Sequence, residues 1–399
     1  MKLREVYFAE VDEAHEFLLA MGVSRGGARL MAEKSMALNI LVKGMSCGEA
    51  NILKQEMLIL GGDAAIHKDV ITGTAQQSDV LILGNRKQIS KLSVRLKEQC
   101  FSLPDIGLEL KKCLDSSGSV FEFCGETIEC GNRTNIMGIV NVTPDSFSEE
   151  GRYAEPEHAA AHALSLQDEG ADVIDIGGES SRPGAQKVTP QEELDRVIPV
   201  LDTLKGKTAV PLSIDTRNAE VARKALETGA SIINDITGFA DPEMVEAAAS
   251  SGAGIIIMHM QGEPGTMQDN PRYDNVVEDI LSFFEAQADK ALKAGVKGRS
   301  IMIDPGIGFG KTTANNFEIL RRVREFKALG FPVLIGASRK SFIGKSLGLE
   351  VDKRLPADIA VTSFCTGQGV DMVRVHDVKE NIQARDMALL LAGPSGEDE

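Results

Sequence analysis

Residues 138–148 read GIVNVTPDSFS, in which a short apolar run ends at Asn141 and a turn containing Pro144 follows. An apolar run of this length is typical of a strand buried on both faces, and proline closes such a strand. The same order of apolar strand, polar tip and helical segment recurs along the rest of the chain. Several strands that each end in a carboxylate or an amide can present these groups at one edge of a sheet and so build a site.

Eight strand candidates alternate with amphipathic segments after residue 135. They are Ile136–Val142, Val173–Ile176, Val210–Ile214, Ser231–Asn234, Gly254–Met258, Ile301–Ile303, Val333–Ile335 and Met372–Val375. This alternation predicts parallel strands with right-handed helical crossovers, and eight units over roughly 260 residues match an α/β fold of the (β/α)8 TIM barrel type. An open doubly wound sheet usually has a glycine-rich phosphate turn after its first strand, and the turn at Pro144 is not one.

The first 118 residues do not follow the barrel pattern and are interpreted as a small N-terminal α/β or α+β domain. Its strand candidates are Glu5–Phe8, Leu38–Lys43, Ala64–Thr72 and Asp79–Leu83, and its helix candidates are Glu13–Met21, Gly27–Met36, Gly48–Leu60 and Lys87–Cys100. Cys113–Ser119 is interpreted as a linker, and Lys54, Glu56 and His67 are most simply surface residues. Two roles stay open for this domain, a structural or assembly role and a small-molecule regulatory site.

The remaining boundaries follow from composition and pattern. Residues 119–134 are interpreted as lead-in strands and a linker, residues 135–392 as the barrel, and residues 393–399 as a disordered acidic tail. The net charge of −16 argues against nucleic acid and against an anionic membrane surface as partners. No apolar run approaches the roughly 20 residues of a membrane helix, and the amino terminus lacks the apolar core of a signal peptide.

The six cysteines contain no C-x-x-C pair. Reduced thiols in a cytoplasmic protein are the expected state for such a set, and no zinc site is expected.

Active sites of TIM barrels lie at the carboxyl ends of the strands. The polar groups at those ends are Asn141, Asp175, Asp215, Asn234 with Asp235, His259, Asp304, Lys340, and Arg374 with His376. Each has a simpler explanation taken alone: an Asp can cap the next helix, Asn234 can belong to a turn, and His259 can be a packed core imidazole. Polar groups at all eight strand ends are hard to explain by capping alone.

These groups divide by charge. Asp215, Asn234 and Asp304 offer acceptors to a heterocycle with an amidine-like edge, such as guanine or a pterin, and each charge-assisted bond contributes about 1.5–3 kcal/mol. The cationic groups suit a phosphate, which arginine binds bidentately. They are Arg182, Lys340, Arg374 and His376. We therefore predict carboxylates deep in the barrel around a ring and cations at its mouth around a phosphate.

Two loops, residues 144–151 and 177–184, combine glycines, small hydroxyls and the apolar faces of Phe147 and Pro183, which suits closure over a ligand. A third segment, Asp304–Thr312, superficially matches a P-loop. That motif needs four residues between its glycines, and three separate Gly306 from Gly310. A glycine-rich backbone close to a flat ligand is the better interpretation.

Taken together, eight motifs resemble the dihydropteroate synthase family, in the order typical of that family. They are residues 138–148, 175–184, 213–216, 233–235, 258–262, 304–311, 338–341 and 374–378. The resemblance extends from about Asn132 to Ala392 and does not include the first 120 or so residues. It implies that 6-hydroxymethyl-7,8-dihydropterin diphosphate and 4-aminobenzoate are joined into 7,8-dihydropteroate with release of pyrophosphate, in folate biosynthesis.

The resemblance also implies roles for individual residues. It implies a pterin site of Asp215, Asn234, Met258, Asp304 and Lys340. It implies a diphosphate site of Asn141, Arg182, Arg374 and His376, with Asn141 contributing to bound Mg²⁺. It implies an aminobenzoate site of Phe147, Ser181, Arg182, Pro183 and Ser341. The catalytic residues that it implies are Asp145, Arg182, Lys340, Arg374 and His376. A cytoplasmic homodimer is the implied state.

Two positions depart from the family pattern: Ser181 replaces a common Thr, and Ile307 replaces a common aromatic residue. Both affect the fit of inhibitors more than activity.

The reaction breaks the bond between diphosphate and a methylene group on an electron-rich ring, so the leaving group can depart first and produce a stabilised pterin cation. Mg²⁺ and cationic side chains would stabilise the leaving charge, and loop closure would exclude water. The nearest alternative is a methyltetrahydrofolate-binding domain of a corrinoid methyltransferase, which has no need of Ser180–Pro183 or of the Ser338–Lys340 cluster. A non-catalytic pterin-binding protein could lose the diphosphate residues, and this chain retains them.

Overall fold

The computed structural model describes residues 4, 6, 8, 11–115, 120–143, 156–180, 188–263 and 265–392. The chain divides into two compact units. The first unit comprises Met1–Ser117 and Ala392–Glu399, and the second comprises Gly118–Leu391. The predicted acidic tail, residues 393–399, lies outside the described residues.

The first unit contains a three-stranded antiparallel sheet and five α-helices among the described residues. The strands are β1 (Ala37–Ser46), β2 (Asp63–Ile66) and β3 (Gln77–Asn85), with β3 in the centre. The helices are α1 (Val11–Ala20), α2 (Arg25–Ser35), α3 (Cys47–Ile59), α4 (Arg86–Arg95) and α5 (Leu103–Asp115). Capping boxes fix the starts of α3 and α4, because Ser46 and Asn85 each exchange hydrogen bonds with the residue three positions later.

Three sequence interpretations of this unit need correction. Glu56 is not a surface residue: it is buried, and its carboxylate binds Arg95 and Gln99. The strand predicted over Ala64–Thr72 ends at Ile66, and a 3-10 turn follows at Lys68–Val70. Helix α5 was not predicted, and it includes the first residues of the expected linker. A proline in the first turn of a helix, as in α5, is compatible with helical backbone and does not break it.

The second unit begins with a hairpin of β4 (Val120–Phe123) and β5 (Glu126–Glu129) and continues as eight parallel strands. These are β6 (Asn135–Asn141), β7 (Val173–Gly177), β8 (Leu212–Asp215), β9 (Ile232–Asp235), β10 (Gly254–Met258), β11 (Ile301–Asp304), β12 (Leu334–Ile335) and β13 (Met372–Val375). Neighbouring strands pair in chain order, and β13 returns to pair with β6. A single parallel bridge joins Ile303 of β11 to Val333, the residue before β12, and so completes the ring. The predicted (β/α)8 TIM barrel is confirmed.

Nine α-helices surround these strands among the described residues. They are α6 (Pro156–Asp168), α7 (Pro190–Leu204), α8 (Ala219–Thr228), α9 (Pro242–Ser251), α10 (Val276–Lys293), α11 (Thr313–Arg321), α12 (Ser341–Leu347), α13 (Leu355–Gly367) and α14 (Val378–Ala392). Among the described residues, no helix combines the length and the apolar character needed to cross a membrane.

Side chains alternate along each barrel strand between the helix layer and the barrel interior. Ile174, Ile214 and Ile233 belong to the outer core, whereas Val173 and Ile232 belong to the inner cluster. Since alternate residues share a face of a strand, the next inward position after Val173 is Asp175, and the next after Ile232 is Asn234. The apolar interior therefore turns polar toward the carboxyl ends of the strands.

The hairpin closes the amino-terminal end of the barrel. Phe121 and Phe123 are fully buried. They pack against the inward apolar residues of the barrel strands, among them Val173, Ile232 and Met302. The Cys124 backbone N–H donates to the Gly252 carbonyl at 2.7 Å, and an added Cβ on Gly254 would lie 2.7 Å from the Phe121 ring. The opposite end of the barrel is therefore where a ligand can enter.

Candidate active site

Arg374 connects two strands across the interior of the barrel. Its Nε donates to Asp175 Oδ2 at 2.6 Å, and its Nη2 donates to Asp215 Oδ2 at 2.8 Å. Asn234 Nδ2 donates to the same Asp175 oxygen at 3.0 Å. Four strands, β7, β8, β9 and β13, therefore contribute to one network of charged and amide side chains.

This network corrects the predicted separation of charges. The sequence interpretation placed carboxylates deep and cations at the mouth, but Arg374 lies among the carboxylates, with only 20% of its side chain exposed. Arg374 lies two residues before His376 on β13. It occupies an inward position and pairs with Met137 of β6. A guanidinium at this depth neutralises carboxylates that would otherwise repel each other at low dielectric.

Asp175 and Ser213 are two site residues to which the sequence analysis gave no specific role. Asp175 is completely buried, and its Oδ1 has no hydrogen-bond partner among the described residues; the same holds for Ser213 Oγ. Both occupy inward positions on adjacent strands, where their backbones pair directly. The alternation pattern could have identified both residues as inward, because each precedes the last residue of its strand by two positions and so lies on the same face. Buried polar atoms without partners are costly, so these two mark where a ligand is expected to bind.

The protonation of Asp215 depends on this environment. Burial raises the pKa of Asp215 to about 7, Arg374 opposes this effect, and the neighbouring carboxylates Asp175, Glu193 and Asp235 add to it. A ligand that donates hydrogen bonds to Asp215 would favour its ionised form.

Asp304 and Lys340 form a second group next to the first. An added Cβ on Gly336 would lie 3.8 Å from Arg374 Cβ and 3.9 Å from both Asp304 Oδ2 and Lys340 Nζ, so these three side chains converge. Burial lowers the pKa of Lys340 to about 8, and Asp304 opposes this shift. Burial likewise raises the pKa of Asp304, against the effect of Lys340.

The loop after β11 is close-packed beneath these groups. Asp304 Oδ1 accepts a hydrogen bond from the Gly306 N–H at 2.7 Å, and Lys340 Nζ lies 4.4 Å from the centre of the Phe309 ring and donates to the Ile307 carbonyl. Gly306 has a φ of +68°, and a Cβ there would lie 2.0 Å from the His259 carbonyl oxygen. Only glycine fits this position, because of its close approach to the His259 carbonyl, and the predicted closeness of this backbone to a flat ligand stays a prediction.

His259 is a packed imidazole in the structure, one of its two interpretations from sequence. It is buried, its ring packs edge-on against Phe283 at 4.9 Å, and burial together with Lys311 lowers its pKa to about 3. Lys311 Nζ lies 3.0 Å from His259 Nδ1 and donates to the His259 and Phe309 carbonyls at 3.1 and 2.9 Å. Burial lowers the pKa of Lys311 well below its usual range. The sequence analysis gave Lys311 no role. In the structure its ammonium group holds the loop after β11 through backbone carbonyls.

The remaining predicted residues lie at the same end of the barrel. Met258 ends β10 and pairs with Asp304 of β11, and Asn141 ends β6 beside Gly177. His376 follows β13, and its Nδ1 lies 3.0 Å from Ser338 Oγ. Ser341 starts α12 directly after Lys340 and is exposed.

Five predicted residues, all in the two long loops, lie outside the described residues. They are Asp145, Phe147, Ser181, Arg182 and Pro183. Glu179, at the described start of the second loop, forms a two-point ion pair with Arg217, at 2.7 and 2.9 Å.

The described site offers several acceptors in a buried space next to a guanidinium and an ammonium group. Such an arrangement can hold a flat, nitrogen-rich ring by its N–H groups and stabilise an adjacent anion. The roles of the individual residues remain predictions.

Residues 137–376 match the protein family described as pterin binding enzyme. The dihydropteroate synthase of Escherichia coli is 43% identical over 250 residues, which are 63% of this chain and 89% of that protein. A solved structure of Xanthomonas albilineans dihydropteroate synthase with 4-aminobenzoic acid has a TM-score of 0.65 and 41% identity, and covers 70% of this chain and 100% of that one.

A relative from Halobacterium salinarum matches a larger part of the chain. It is named a probable bifunctional folylpolyglutamate synthase/dihydropteroate synthase and is 40% identical over 378 residues, or 94% of this chain. Most of the first unit is therefore included in that match. This chain spans only 45% of the length of that relative.

Proposed function

This chain belongs to the dihydropteroate synthase family of pterin-binding enzymes, and from that premise we propose that it is itself a dihydropteroate synthase. It would condense 6-hydroxymethyl-7,8-dihydropterin diphosphate with 4-aminobenzoate, yielding 7,8-dihydropteroate and pyrophosphate for folate biosynthesis. The observation that carries the proposal is the convergence of Asp215, Asn234, Asp304 and Lys340 at one end of a barrel that is closed at the other.

The pterin fits the acceptors of this site. Its ring presents several N–H donors along one edge, and the site offers the carboxylates of Asp215 and Asp304 with the unpartnered Oδ1 of Asp175. Asp175 and Asp304 are buried and Asp215 is half-buried, so charge-assisted hydrogen bonds to them are largely shielded from competing water. A preformed set of this kind selects a polar heterocycle over an apolar ring of equal size, because an apolar ring would leave the carboxylates unpaired.

Departure of diphosphate moves negative charge toward the outer end of the site. Arg374 and Lys340 hold positive charge next to the ring position, and we propose that His376 contacts the departing group. Preorganised positive charge of this kind stabilises a leaving group without reorganisation of solvent. The arylamine then attacks the exposed methylene carbon and loses a proton to solvent or to the released pyrophosphate.

We propose that Mg²⁺ assists this step by neutralising charge on the diphosphate. The described residues contain no cluster of three or more His, Cys, Asp or Glu side chains that could hold a metal by themselves. Mg²⁺ is often held by few protein ligands together with substrate phosphates and water, and it prefers oxygen. Asn141, a half-buried amide at the end of β6, fits that requirement and is the residue that we expect to bind the ion.

The test is pyrophosphate release by the full chain with Mg²⁺, the pterin diphosphate and 4-aminobenzoate. We expect release that depends on all three, forms 7,8-dihydropteroate in equal amount and stops when a chelator removes Mg²⁺. Asp304→Asn is expected to lower kcat/KM by about 10- to 100-fold, because it removes a charged acceptor. Asp289→Asn, an exposed residue of α10, serves as the control and should not change it.

A folded, pterin-binding protein without pyrophosphate release would contradict the proposal. Methyl transfer from methyltetrahydrofolate to a corrinoid would support the alternative methyltransferase instead. Pterin binding without either reaction would indicate a binding protein.

A homodimer formed through barrel helices is part of the proposal. α13 and α14 are adjacent, since Ser363 Oγ donates to the Ala384 carbonyl at 3.2 Å. Phe364, Met387, Leu390 and Leu391 on these helices are between 41% and 76% exposed. Large apolar side chains grouped on adjacent helices are typical of a surface that pairs with another protein.

A cytoplasmic location is likewise proposed. All six cysteines are free thiols in the structure, and burial raises the pKa of Cys130 and Cys365 to about 12, which keeps these two unreactive. Free thiols are the usual state in a reducing compartment.

A further inference from the structure

Lys340 lies along the loop after β11, and this loop supports its side chain. Lys340 Nζ donates to the Ile307 carbonyl and lies 4.4 Å from the centre of the Phe309 ring. Between these two contacts, an added Cβ on Gly308 would lie 3.1 Å from Lys340 Cδ, so the side chain passes directly over this glycine. The position of the Lys340 ammonium group therefore depends on where residues 307–309 are held.

Side chains hold this loop in place. Its three glycines, at positions 306, 308 and 310, have φ values between +60° and +82°, and glycine loses more conformational entropy on folding than any other residue. Each backbone carbonyl from residue 306 to residue 310 nevertheless accepts a hydrogen bond. The donors, in that order, are the Phe309 N–H, Lys340 Nζ, Gln268 Nε2, Lys311 Nζ and the Tyr273 hydroxyl group. Four of these five donors are side chains, so the loop is ordered by its surroundings rather than by a backbone ladder.

Lys311 is the only buried residue among these donors, with 3% of its surface exposed. Its Nζ donates to the Phe309 carbonyl at 2.9 Å and to the His259 carbonyl at 3.1 Å, and it lies 3.0 Å from His259 Nδ1. His259 directly follows β10, and its backbone N–H donates to the Asp304 carbonyl of β11 at 2.9 Å. Lys311 therefore ties the middle of the loop to the end of a barrel strand.

This anchor does not depend on the charge of Lys311. An ammonium group has three hydrogens, which match the two carbonyls and an unprotonated His259 Nδ1. A neutral amine has two hydrogens and one lone pair, which match the two carbonyls and an Nδ1 that carries the hydrogen. The Phe309 and His259 carbonyls are held together in both states.

We propose that Lys311 is a positioning residue for Lys340. By holding the Phe309 carbonyl to the end of β10, it keeps the Ile307 carbonyl and the Phe309 ring where they direct the Lys340 ammonium group into the site. The role of Lys340 toward a pterin rests on the proposed function, whereas the dependence of its position on Lys311 does not. A supporting contact of this kind fixes the geometry of a group that touches the ligand without touching the ligand itself.

Lys311→Met tests this role with little change of volume. Methionine fills most of the space of the lysine side chain but has no hydrogen to donate, so the Phe309 and His259 carbonyls lose their shared partner. A loop with three glycines can then adopt other conformations. We expect the Phe309 ring to move away from the Lys340 ammonium group.

The measurement is the ¹H–¹³C spectrum of the full, ligand-free chain with ¹³C-labelled lysine, in which Lys340→Met assigns the Lys340 signal. Protons above the face of an aromatic ring resonate upfield, so the Lys340 Hε signal should lie upfield of the exposed lysines in the wild type. Phe309→Leu removes the ring and should abolish this shift. Lys311→Met should move the signal toward that of the exposed lysines, although the ring is still present.

Lys327→Met is the matched control. Lys327 is half-buried and donates to the Gly369 carbonyl and to Asp371, at 3.2 Å, in the segment that precedes β13 at the opposite end of the barrel. This variant also removes an ammonium group from a backbone carbonyl, so a general loosening of the barrel would change both variants alike. The Lys340 signal should stay as in the wild type.

A double-mutant cycle on ligand binding gives the second readout, which rests on the proposed function. The ligand is 6-hydroxymethyl-7,8-dihydropterin, and titration calorimetry measures its Kd. Lys311→Met should weaken binding by about 10-fold when Lys340 is present, and by less than about 2-fold in the Lys340→Met background, because Lys311 acts through Lys340. Lys327→Met should change the Kd in neither background.

An unchanged Lys340 signal in Lys311→Met would overturn the inference, as would the same change in Lys327→Met. Equal losses of pterin binding with and without Lys340 would also overturn it, because they would show that Lys311 supports the fold in general. If the wild type binds no pterin and has no synthase activity, the proposed function fails while the lysine spectrum still decides the positioning role. If Lys311→Met does not fold, Lys311→Gln takes its place, since the glutamine side chain keeps a polar end but is one bond too short to hold both carbonyls.

Discussion

Arg374 joins two carboxylates from different strands and so determines the charge balance of the site. Its guanidinium contacts Asp175 and Asp215, and Asp175 in turn holds Asn234. A ring that enters this network must share the carboxylates with Arg374. Under the proposed function, Arg374 would therefore couple binding of the ring to stabilisation of the leaving group.

Asp215→Asn is expected to stabilise the ligand-free protein at about pH 8, by about 1–3 kcal/mol in the free energy of unfolding. Burial raises the pKa of Asp215 from 3.8 to about 7, so the native state binds more protons than the unfolded chain between these values. Stability then falls as pH rises through this window, and asparagine escapes the loss because it does not ionise. The gain in the free energy of unfolding should shrink as the pH falls toward 3.8, the usual pKa of an aspartate.

Urea denaturation of the wild type and the variant across this pH range measures the difference. Asp289→Asn provides the control, since that exposed carboxylate forms only a surface pair with Lys293. A variant that is less stable at about pH 8, or a difference that does not change with pH, would contradict the assigned shift. The same variant should bind a pterin less well, which is the usual exchange of stability for function.

At the scale of elements, strand alternation and the hairpin β4–β5 together define the two ends of the barrel. The hairpin fills the amino-terminal end with Phe121 and Phe123, whose ring centres lie 5.7 Å apart. On β7, β9, β11 and β13 the inward side chain is apolar first (Val173, Ile232, Met302 and Met372) and polar two residues later (Asp175, Asn234, Asp304 and Arg374). The hairpin closes one end of the barrel, and the polar strand ends form the site at the other end.

Phe121→Ala is expected to lower the free energy of unfolding of the barrel by about 3–5 kcal/mol, because it leaves a large cavity in a fully buried cluster. Denaturant unfolding, followed by a probe placed in the barrel unit, measures this loss. Phe101→Ala, whose side chain is 69% exposed in the first unit, should cost less than about 0.5 kcal/mol. Equal losses in the two variants would show that the hairpin does not support the barrel.

At the scale of the whole molecule, the proposed homodimer leads to a prediction about α14. Leu390→Glu combined with Leu391→Glu is expected to shift the protein from dimer to monomer, because two charges would be buried without partners in the interface. Analytical ultracentrifugation measures the change in mass. Leu108→Glu, at a 48% exposed position of the first unit, should leave the mass unchanged. A wild-type protein that is already a monomer would refute the dimer.

The sequence predicted the structure correctly wherever the position of a residue along its own strand decides which way its side chain points. The eight predicted strands are observed with small shifts in their ends, and the polar tips lie at one end of the barrel. Asp215, Asn234 and Asp304 could be found this way because a period of two residues fixes which side chains point inward. The same rule fails for Glu56, since α3 is a helix whose buried face depends on what packs against it.

What the sequence by itself determined is the order of strands and helices and the set of polar groups that the strand ends present, because the alternation of apolar and polar residues is a local property. Only the tertiary structure decided which of those groups meet. Arg374 reaches Asp175 across 199 positions of sequence, and Asp358 reaches the turn before Lys340 from another helix. Closure of the ring places β13 beside β6, as the predicted barrel requires, but the local pattern does not say which carboxylates Arg374 of β13 contacts across the interior. Pairing across a barrel is a long-range property, so the charge balance of the site appears only in the folded chain.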